Sequence, residues 1–451
     1  MLSDFGSFRY ERMAVLPDLY LSLEQDNHKK LHKLLVGGAD VDYLFEDDGR
    51  LSGKSLLHLC CEKGRVECAK LLIRNGADIN IRDRWGQTPL MHCVIARNLN
   101  LAKFLLSWKK SSVRCQDKFG KTALHFGVEE GCEEAVKLLL WYGSDVNAST
   151  MCGLTPLINL CSQPPYPNQI TLLDVLLTSG AVVNMRDFRC KRSALQAAAL
   201  QKNIKVVEKL LSWGADPNSL DRAGRSALTN VISECLSAYE INREIDPDVM
   251  TVIVQLTQAG SDLNITKCKC SNPLIVSTFL KVEPLVRFFL DNGACPDVTF
   301  QSGMTPLLVA VNKGDAAVTR ALISHGCRMD VRGRITRRPD EEVYMDPFEL
   351  AIENASWDLV KYMVSAGYHP SNLAYLRSGS SSVALPTSLR INKDMLDFLR
   401  TAASQPTSLF QSTALMIWRT LGSDLPNKVR LLSLPSSLKC LIMSEAFLSK
   451  Y

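Results

Sequence analysis

Residues 303–326 read GMTPLLVAVNKGDAAVTRALISHG, and the fold turns on how this stretch is understood. Thr305 suits the N-cap of a helix, and Pro306 suits its first position, where a missing N–H breaks no bond. Leu307, Leu308 and Ala310 give that helix an apolar face, and Gly314 predicts its end. A second helix is predicted through Val318, Leu322 and Ile323, with Gly326 as its stop. The unit is two short antiparallel helices and a hairpin-like finger. It cannot cover its apolar sides alone, so neighbouring units must stack and share their stability.

The same unit recurs. SLLH begins at Ser55, TPLM at Thr88, TALH at Thr122, TPLI at Thr155, SALQ at Ser193, SALT at Ser226, NPLI at Asn272, TPLL at Thr305 and DPFE at Asp346. Successive starts are 33, 34, 33, 38, 33, 46, 33 and 41 residues apart. A second series keeps step: GADVD at Gly38, GADIN at Gly76, GSDVN at Gly143, GAVVN at Gly180, GADPN at Gly214, GSDLN at Gly260, GACPD at Gly293 and GCRMD at Gly326. This double beat resembles the ankyrin-repeat family over roughly residues 19 to 370. The expected fold is therefore all-α, a solenoid of about nine to ten helix-pair repeats with a long curved surface.

Three units exceed the count, with extra residues after Cys161, after Ser233 and after Val331. The first two insertions fall between paired helices and the third lengthens a finger. Such loops either extend a binding face or are tolerated at a surface. Arg332, Arg334, Arg337 and Arg338 precede Asp340, Glu341 and Glu342, a run that reads as an anion site or as a solvated finger.

Composition narrows the function. With 46% apolar and 22% charged residues, the chain is rich enough in apolar side chains for a large core. A formal charge of +5 on 451 residues, without dense Lys/Arg clusters, does not imply nucleic acid. Fifteen cysteines are scattered and odd in number, which suits a reducing compartment, and no segment has the length and character of a membrane span. Residence in the cytoplasm or nucleus is expected.

No catalytic constellation is expected. His58 and His125 occupy the fourth position of the repeat cue, where they would support a finger, and His92 stands one step off it. Cys60, Cys61, Cys93 and Cys161 fill small-residue slots of first helices. Cys268 and Cys270 form a tight pair without a second pair at zinc-ligand spacing, so neither a metal nor another cofactor is implied. No glycine-rich phosphate loop, nucleophile elbow or HExxH occurs. The sequence predicts a binding protein rather than an enzyme. DRWG and DKFG place Trp85 and Phe119 at finger tips, where an aromatic residue either packs on the next finger or anchors a target protein.

After Gly367 the beat stops. SGSSS marks a linker, and INKDMLDFLRTAA offers Ile391, Met395, Phe398, Leu399 and Ala402 at helical spacing, a cap for the last repeat. Beyond Pro406, Leu409, Thr413, Met416, Ile417 and Leu421 share one face of a predicted amphipathic helix, and a second helix is predicted near Pro435. SLFQSTALMIWRTLG followed by LLSLPSSLKCLI resembles a SOCS box. Together with the repeats, this resembles the ankyrin-repeat and SOCS-box family, substrate receptors of cullin-RING ubiquitin ligases. The resemblance implies that Leu409, Thr413 and Ile417 meet elongin C of an elongin B/C pair, with Thr413 where the family usually has cysteine. It also implies that Leu432, Leu434 and Pro435 select the cullin, with cullin-5 as the family's expectation and Ser433 replacing a proline.

The expected organisation is an N-terminal segment and capping repeat over 1–50, ankyrin repeats over 51–370, a linker and capping helix over 371–405, and a SOCS-box-like module over 406–451. The expected role is an adaptor that holds an unidentified target protein on its repeats and the ligase on its tail. A tethering scaffold whose last helices only cap the array is the other reading.

Overall fold

The computed structural model describes residues 18–45, 53–108, 112–234, 244–265, 272–299, 303–338, 341–368, 370, 373, 376 and 385–404. The chain divides into two compact units, residues 1–222 and 223–451.

In the N-terminal unit residues 18–24 are helical and precede α1 (His28–Val36). Five helix pairs follow: α2 (Leu56–Lys63) with α3 (Val66–Arg74), α4 (Pro89–Ile95) with α5 (Leu99–Ser107), α6 (Ala123–Glu129) with α7 (Glu133–Trp141), α8 (Pro156–Cys161) with α9 (Gln169–Thr178), and α10 (Ala194–Leu200) with α11 (Ile204–Ser212). Each first helix opens on a Ser or Thr in extended conformation; at α8 the Thr155 hydroxyl accepts the Ile158 N–H at 3.2 Å. The first helices α2, α4, α6, α8 and α10 lie side by side in that order. They are buried almost throughout, because each packs on one or two neighbouring first helices and on its own second helix; Cys60, Cys61, Cys93 and Cys161 fill slots there. Each fully buried leucine, such as Leu57 or Leu124, contributes about 1.5–3 kcal/mol.

The second marker series joins repeat to repeat. Gly143 takes a φ of +83° to end α7, a conformation an L side chain rarely adopts. Four residues on, Asn147 donates from Nδ2 to the Gly180 carbonyl at 3.1 Å and accepts the Val182 N–H on Oδ1 at 2.8 Å. Asn184 repeats both bonds to Gly214 (3.0 Å) and Asp216 (2.9 Å).

The C-terminal unit contains α12 (Ala227–Glu234), α13 (Pro247–Gln258), α14 (Pro273–Phe279), α15 (Glu283–Asp291), α16 (Pro306–Asn312), α17 (Ala316–Ser324), α18 (Pro347–Glu353) and α19 (Trp357–Ser365). Its first helices, α12, α14, α16 and α18, again lie in order. Thr305 caps α16 by accepting the Leu308 N–H at 3.2 Å, and Gly314 and Gly326 both take positive φ. The helix pair expected over residues 303–326 is thus present.

Strands are minor. In the N-terminal unit β1 (Leu44–Phe45) pairs antiparallel with β2 (Lys54–Ser55). In the C-terminal unit the insertion after Val331 lengthens a finger into an antiparallel ribbon of β3 (Gly333–Arg338) and β4 (Glu341–Met345), with Ile335 opposite Val343. Arg332 is paired with Glu349 at 2.7 Å and Arg334 with Glu342, so these two arginines are held by the protein's own carboxylates. The insertion after Cys161 runs between α8 and α9, as expected.

The last repeat is closed by two further helices. α20 (Thr387–Ile391) packs on α18 and buries Leu389, and α21 (Lys393–Ser404) packs on α20. Asn392 breaks the helix between them (φ −104°, ψ 90°), and its Oδ1 accepts the Met395 N–H at 3.0 Å. The break resets the helical phase, so Ile391, expected on the capping face, is 84% exposed, while Leu396 joins Met395 and Leu399 in the buried set. Phe398 also stays partly in solvent. Among the described residues no helix is long and apolar enough to cross a membrane.

Candidate functional site

Two neighbouring fingers of the N-terminal unit begin with an aspartate that folds its own turn. Asp83 Oδ1 accepts the N–H groups of Trp85 and Gln87, each at 2.8 Å. Asp117 Oδ1 does the same for Phe119 and Lys121, again at 2.8 Å. Both carboxylates are buried under the turns they hold, which leaves Trp85 and Phe119 projecting outward.

Successive fingers are laced by backbone hydrogen bonds. The Lys118 N–H donates to the Trp85 carbonyl (2.9 Å), Met151 to Phe119 (2.9 Å), Phe188 to Cys152 (2.8 Å) and Arg222 to Cys190 (2.7 Å). Gly153 lies so close to the next finger that a Cβ there would meet the Phe188 backbone N at 2.5 Å. The side chains at the tips therefore form one edge. Trp85 and Phe119 stack with ring centroids 6.3 Å apart and planes 24° apart, yet remain 49% and 55% exposed. The sequence posed neighbour packing and exposure as alternatives, and here they coexist. Met151 and Phe188 extend the exposed apolar line. They are less legible in the sequence, because in neither does the finger glycine directly follow the large side chain.

Beneath Trp85 and Phe119 lies a cavity of about 360 Å³, lined also by Lys54, Glu62, His92 and Ile95. Its charged groups form a chain. Lys54 Nζ is 2.6 Å from Glu62 Oε1, His92 Nδ1 is 3.0 Å from the same oxygen, and His92 Nε2 is 3.0 Å from Asp83 Oδ2. Burial opposes charge on His92, but the hydrogen bonds to Asp83 and Glu62 outweigh it and raise its pKa. Burial likewise pushes the Glu62 and Asp83 carboxyls upward, and the hydrogen bonds, His92's first among them, outweigh it and hold both low. His92, set aside in the sequence as one step off the cue, is thus the centre of a buried network. Its signal is the spacing to Glu62, which belongs to the preceding repeat.

His58 and His125 differ from it. Each has Nδ1 accepting a backbone N–H, from Ser55 (3.0 Å) and Thr122 (3.2 Å), and Nε2 facing the carbonyl of Gln87 (3.1 Å) or Leu154 (3.0 Å) in the next finger. That pattern requires a neutral ring. Burial lowers both pKa values, that of His58 to about 4, helped by the neighbouring His92. These two histidines brace fingers, as their sequence position predicts.

Leu409, Thr413, Ile417, Leu432, Leu434 and Pro435 lie outside the described residues, as do Cys268 and Cys270. Among the described residues no group of three or more His, Cys, Asp or Glu side chains is placed to hold a metal ion.

Comparison with known proteins agrees with this architecture. The sequence family described as "Ankyrin repeats (3 copies)" matches residues 19–117, 57–150, 102–187 and 124–221, and that described as "Ankyrin repeat" matches residues 302–334. Together they cover a little over half of the chain. It belongs to the ankyrin-repeat family.

Among its ankyrin relatives, "Ankyrin repeat and SOCS box protein 16" of Homo sapiens is 29% identical over 210 residues, 46% of this chain and 45% of that protein. "B-cell lymphoma 3 protein homolog" of Mus musculus is 30% identical over 206 residues, 44% of each. "Probable E3 ubiquitin-protein ligase XBOS33" of Oryza sativa subsp. japonica is 37% identical over 86 residues, 19% of this chain and 16% of that one. The ankyrin chain thus spans less than half the length of these relatives. A crystal structure of the ankyrin repeat domain of Bcl-3 is similar to it with a TM-score of 0.43 and 24% identity, covering 50% of this chain and 94% of that chain.

Proposed function

We propose that this ankyrin protein is the substrate-recognition adaptor of an elongin B/C–cullin-RING ubiquitin ligase. Its repeats hold the target protein, with Trp85 and Phe119 as anchors, and residues 406–451 form the box that engages the ligase. Leu409, Thr413 and Ile417 meet elongin C, and Leu432, Leu434 and Pro435 select the cullin, with cullin-5 expected. The chain itself performs no chemistry. It raises the effective concentration of a target lysine near a charged conjugating enzyme.

The observation that carries this reading is the pairing, in one chain, of ankyrin repeats with a C-terminal segment patterned as SLFQSTALMIWRTLG. A relative whose name joins ankyrin repeats and a SOCS box supports it. So does the cap: α20 and α21 close the last repeat before residue 405, so the apolar stripe from Leu409 to Leu421 is not required for that purpose. A tethering scaffold, in which the final helices serve only as a lid, has less to explain that stripe.

The test is recovery of elongin B/C from cell extract by the full chain and by Leu409→Ala. The parent is expected to recover the pair and the variant to lose most of it, since one leucine seated in a partner is worth about 1.5–3 kcal/mol. Equal recovery by both, or recovery by neither, would defeat the ligase reading and favour the scaffold.

A further inference from the structure

The finger edge of the N-terminal unit carries a charge pattern that the sequence disperses. Arg84 and Lys118 flank the Trp85–Phe119 stack, and Arg189, Lys191 and Arg222 flank Phe188 and the finger after it. All five are exposed, and among the described residues none is in an ion pair. Lys191 lies over the Phe188 ring, its Nζ 5.7 Å from the centroid, and Arg222 donates to the Arg189 carbonyl at 3.3 Å. Three aspartates of the same fingers are spent on their own turns. Asp83, Asp117 and Asp187 are buried, each accepting the N–H groups of its own turn.

The cavity floor adds the second half of the pattern. Lys54, Glu62, His92 and Asp83 neutralise one another in sequence, so they call for no charged occupant. What they leave open is bounded by Trp85, Phe119 and Ile95, an apolar recess of side-chain size under a positive rim.

We infer that this edge binds an acidic protein segment, with an apolar or aromatic side chain of the partner entering the recess beneath Trp85 and Phe119 and its carboxylates meeting Arg84 and Lys118. The inference rests on the reading of the repeats as the target-binding part and supplies the chemistry of the target. A protein fits better than a nucleic acid. Base stacking needs free aromatic faces, whereas Trp85 and Phe119 turn a face toward each other. The recess suits one apolar side chain flanked by acids, the charge complement of the rim.

The test uses the full chain and three labelled probes of equal length: a peptide alternating Asp or Glu with Leu or Phe, the same peptide with Lys at the acidic positions, and oligothymidylate. Fluorescence anisotropy is expected to show binding of the acidic peptide, weakening as salt is added. The double variant Arg84→Glu/Lys118→Glu should weaken it about tenfold or more without lowering Tm, because both side chains are exposed, and the single variant Trp85→Ala should weaken it as much while the protein stays folded, with only the small drop in Tm that loss of the stack on Phe119 brings. Tighter binding of the lysine peptide, still lost with Trp85→Ala, would overturn the acidic partner while leaving the edge as a protein-binding face. Tighter binding of oligothymidylate would reassign the edge to nucleic acid. Indifference of every probe to Trp85→Ala would overturn the edge as a binding site, whereas the elongin reading stands or falls on Leu409 alone.

Discussion

His92 Nε2 lies 3.0 Å from Oδ2 of Asp83, and the other oxygen of that carboxylate accepts the N–H of Trp85 at 2.8 Å. The buried histidine and the exposed tryptophan are therefore two ends of one carboxylate. In the next repeat the position of His92 is held by Phe126, and Asp117 Oδ2 is left buried without a partner.

That natural contrast defines the first prediction. His92→Phe would copy the next repeat, removing a hydrogen-bond donor from both Asp83 and Glu62. It is expected to cost about 3 kcal/mol, read as a lower Tm. The loss depends on pH. The folded pKa of His92 is raised, so its contribution is complete below its ordinary value of 6.5 and fades as pH rises through the folded value. Thermal melts of parent and variant should converge toward alkaline pH. A gap independent of pH would mean that His92 is not charged in the native state.

His58 titrates with the opposite sign. Its folded pKa of about 4 lies below 6.5, so its contribution is intact above 6.5 and is lost as pH falls toward 4. His58→Ala should cost about 2 kcal/mol at neutral pH, where a finger carbonyl and a cap are both released, and less in acid. Melts at neutral and acid pH check the sign.

A third prediction concerns Asp346, which caps α18 by accepting the Glu349 N–H at 2.7 Å and takes a hydrogen bond from the Tyr368 hydroxyl at 3.0 Å. Burial raises its pKa to about 6. The favourable contribution of its protonated form is full below 3.8 and is lost as pH rises through 6. Asn caps as well as Asp and carries no charge, so Asp346→Asn should stabilise the C-terminal unit by about 2 kcal/mol above pH 6 and lose that advantage in acid. Chemical denaturation on both sides of pH 6 distinguishes the two regimes.

Asn147 offers a fourth. Asn147→Ala removes both of its bonds to the following repeat and should cost about 1–2 kcal/mol in a urea melt. Asn147→Asp keeps the acceptor for Val182 and should cost less, since an aspartate in the corresponding place, Asp297, accepts the Arg328 N–H at 2.7 Å.

These residues also show what was legible in the sequence. Thr305, Pro306, Gly314 and Gly326 act within one unit, and local rules place them correctly. His58 and His125 are legible because the same cue recurs. His92 is not, since its meaning depends on Glu62 in one repeat and Asp83 in its own finger. The basic edge is dispersed for a related reason: Arg84 and Lys118 are 34 residues apart in sequence and become neighbours only when the fingers stack. Ile391 departs from its expected face because helical spacing assumes an unbroken helix, and Asn392 caps a new one.

The two-handed adaptor is tested most directly by purifying the full chain from cells as parent, Trp85→Ala and Leu409→Ala, and identifying what travels with each. Trp85→Ala is expected to lose a set of target proteins while keeping elongin B/C, and Leu409→Ala to lose elongin B/C while keeping the targets. If the three preparations carry the same proteins in the same amounts, neither end of the chain works as described.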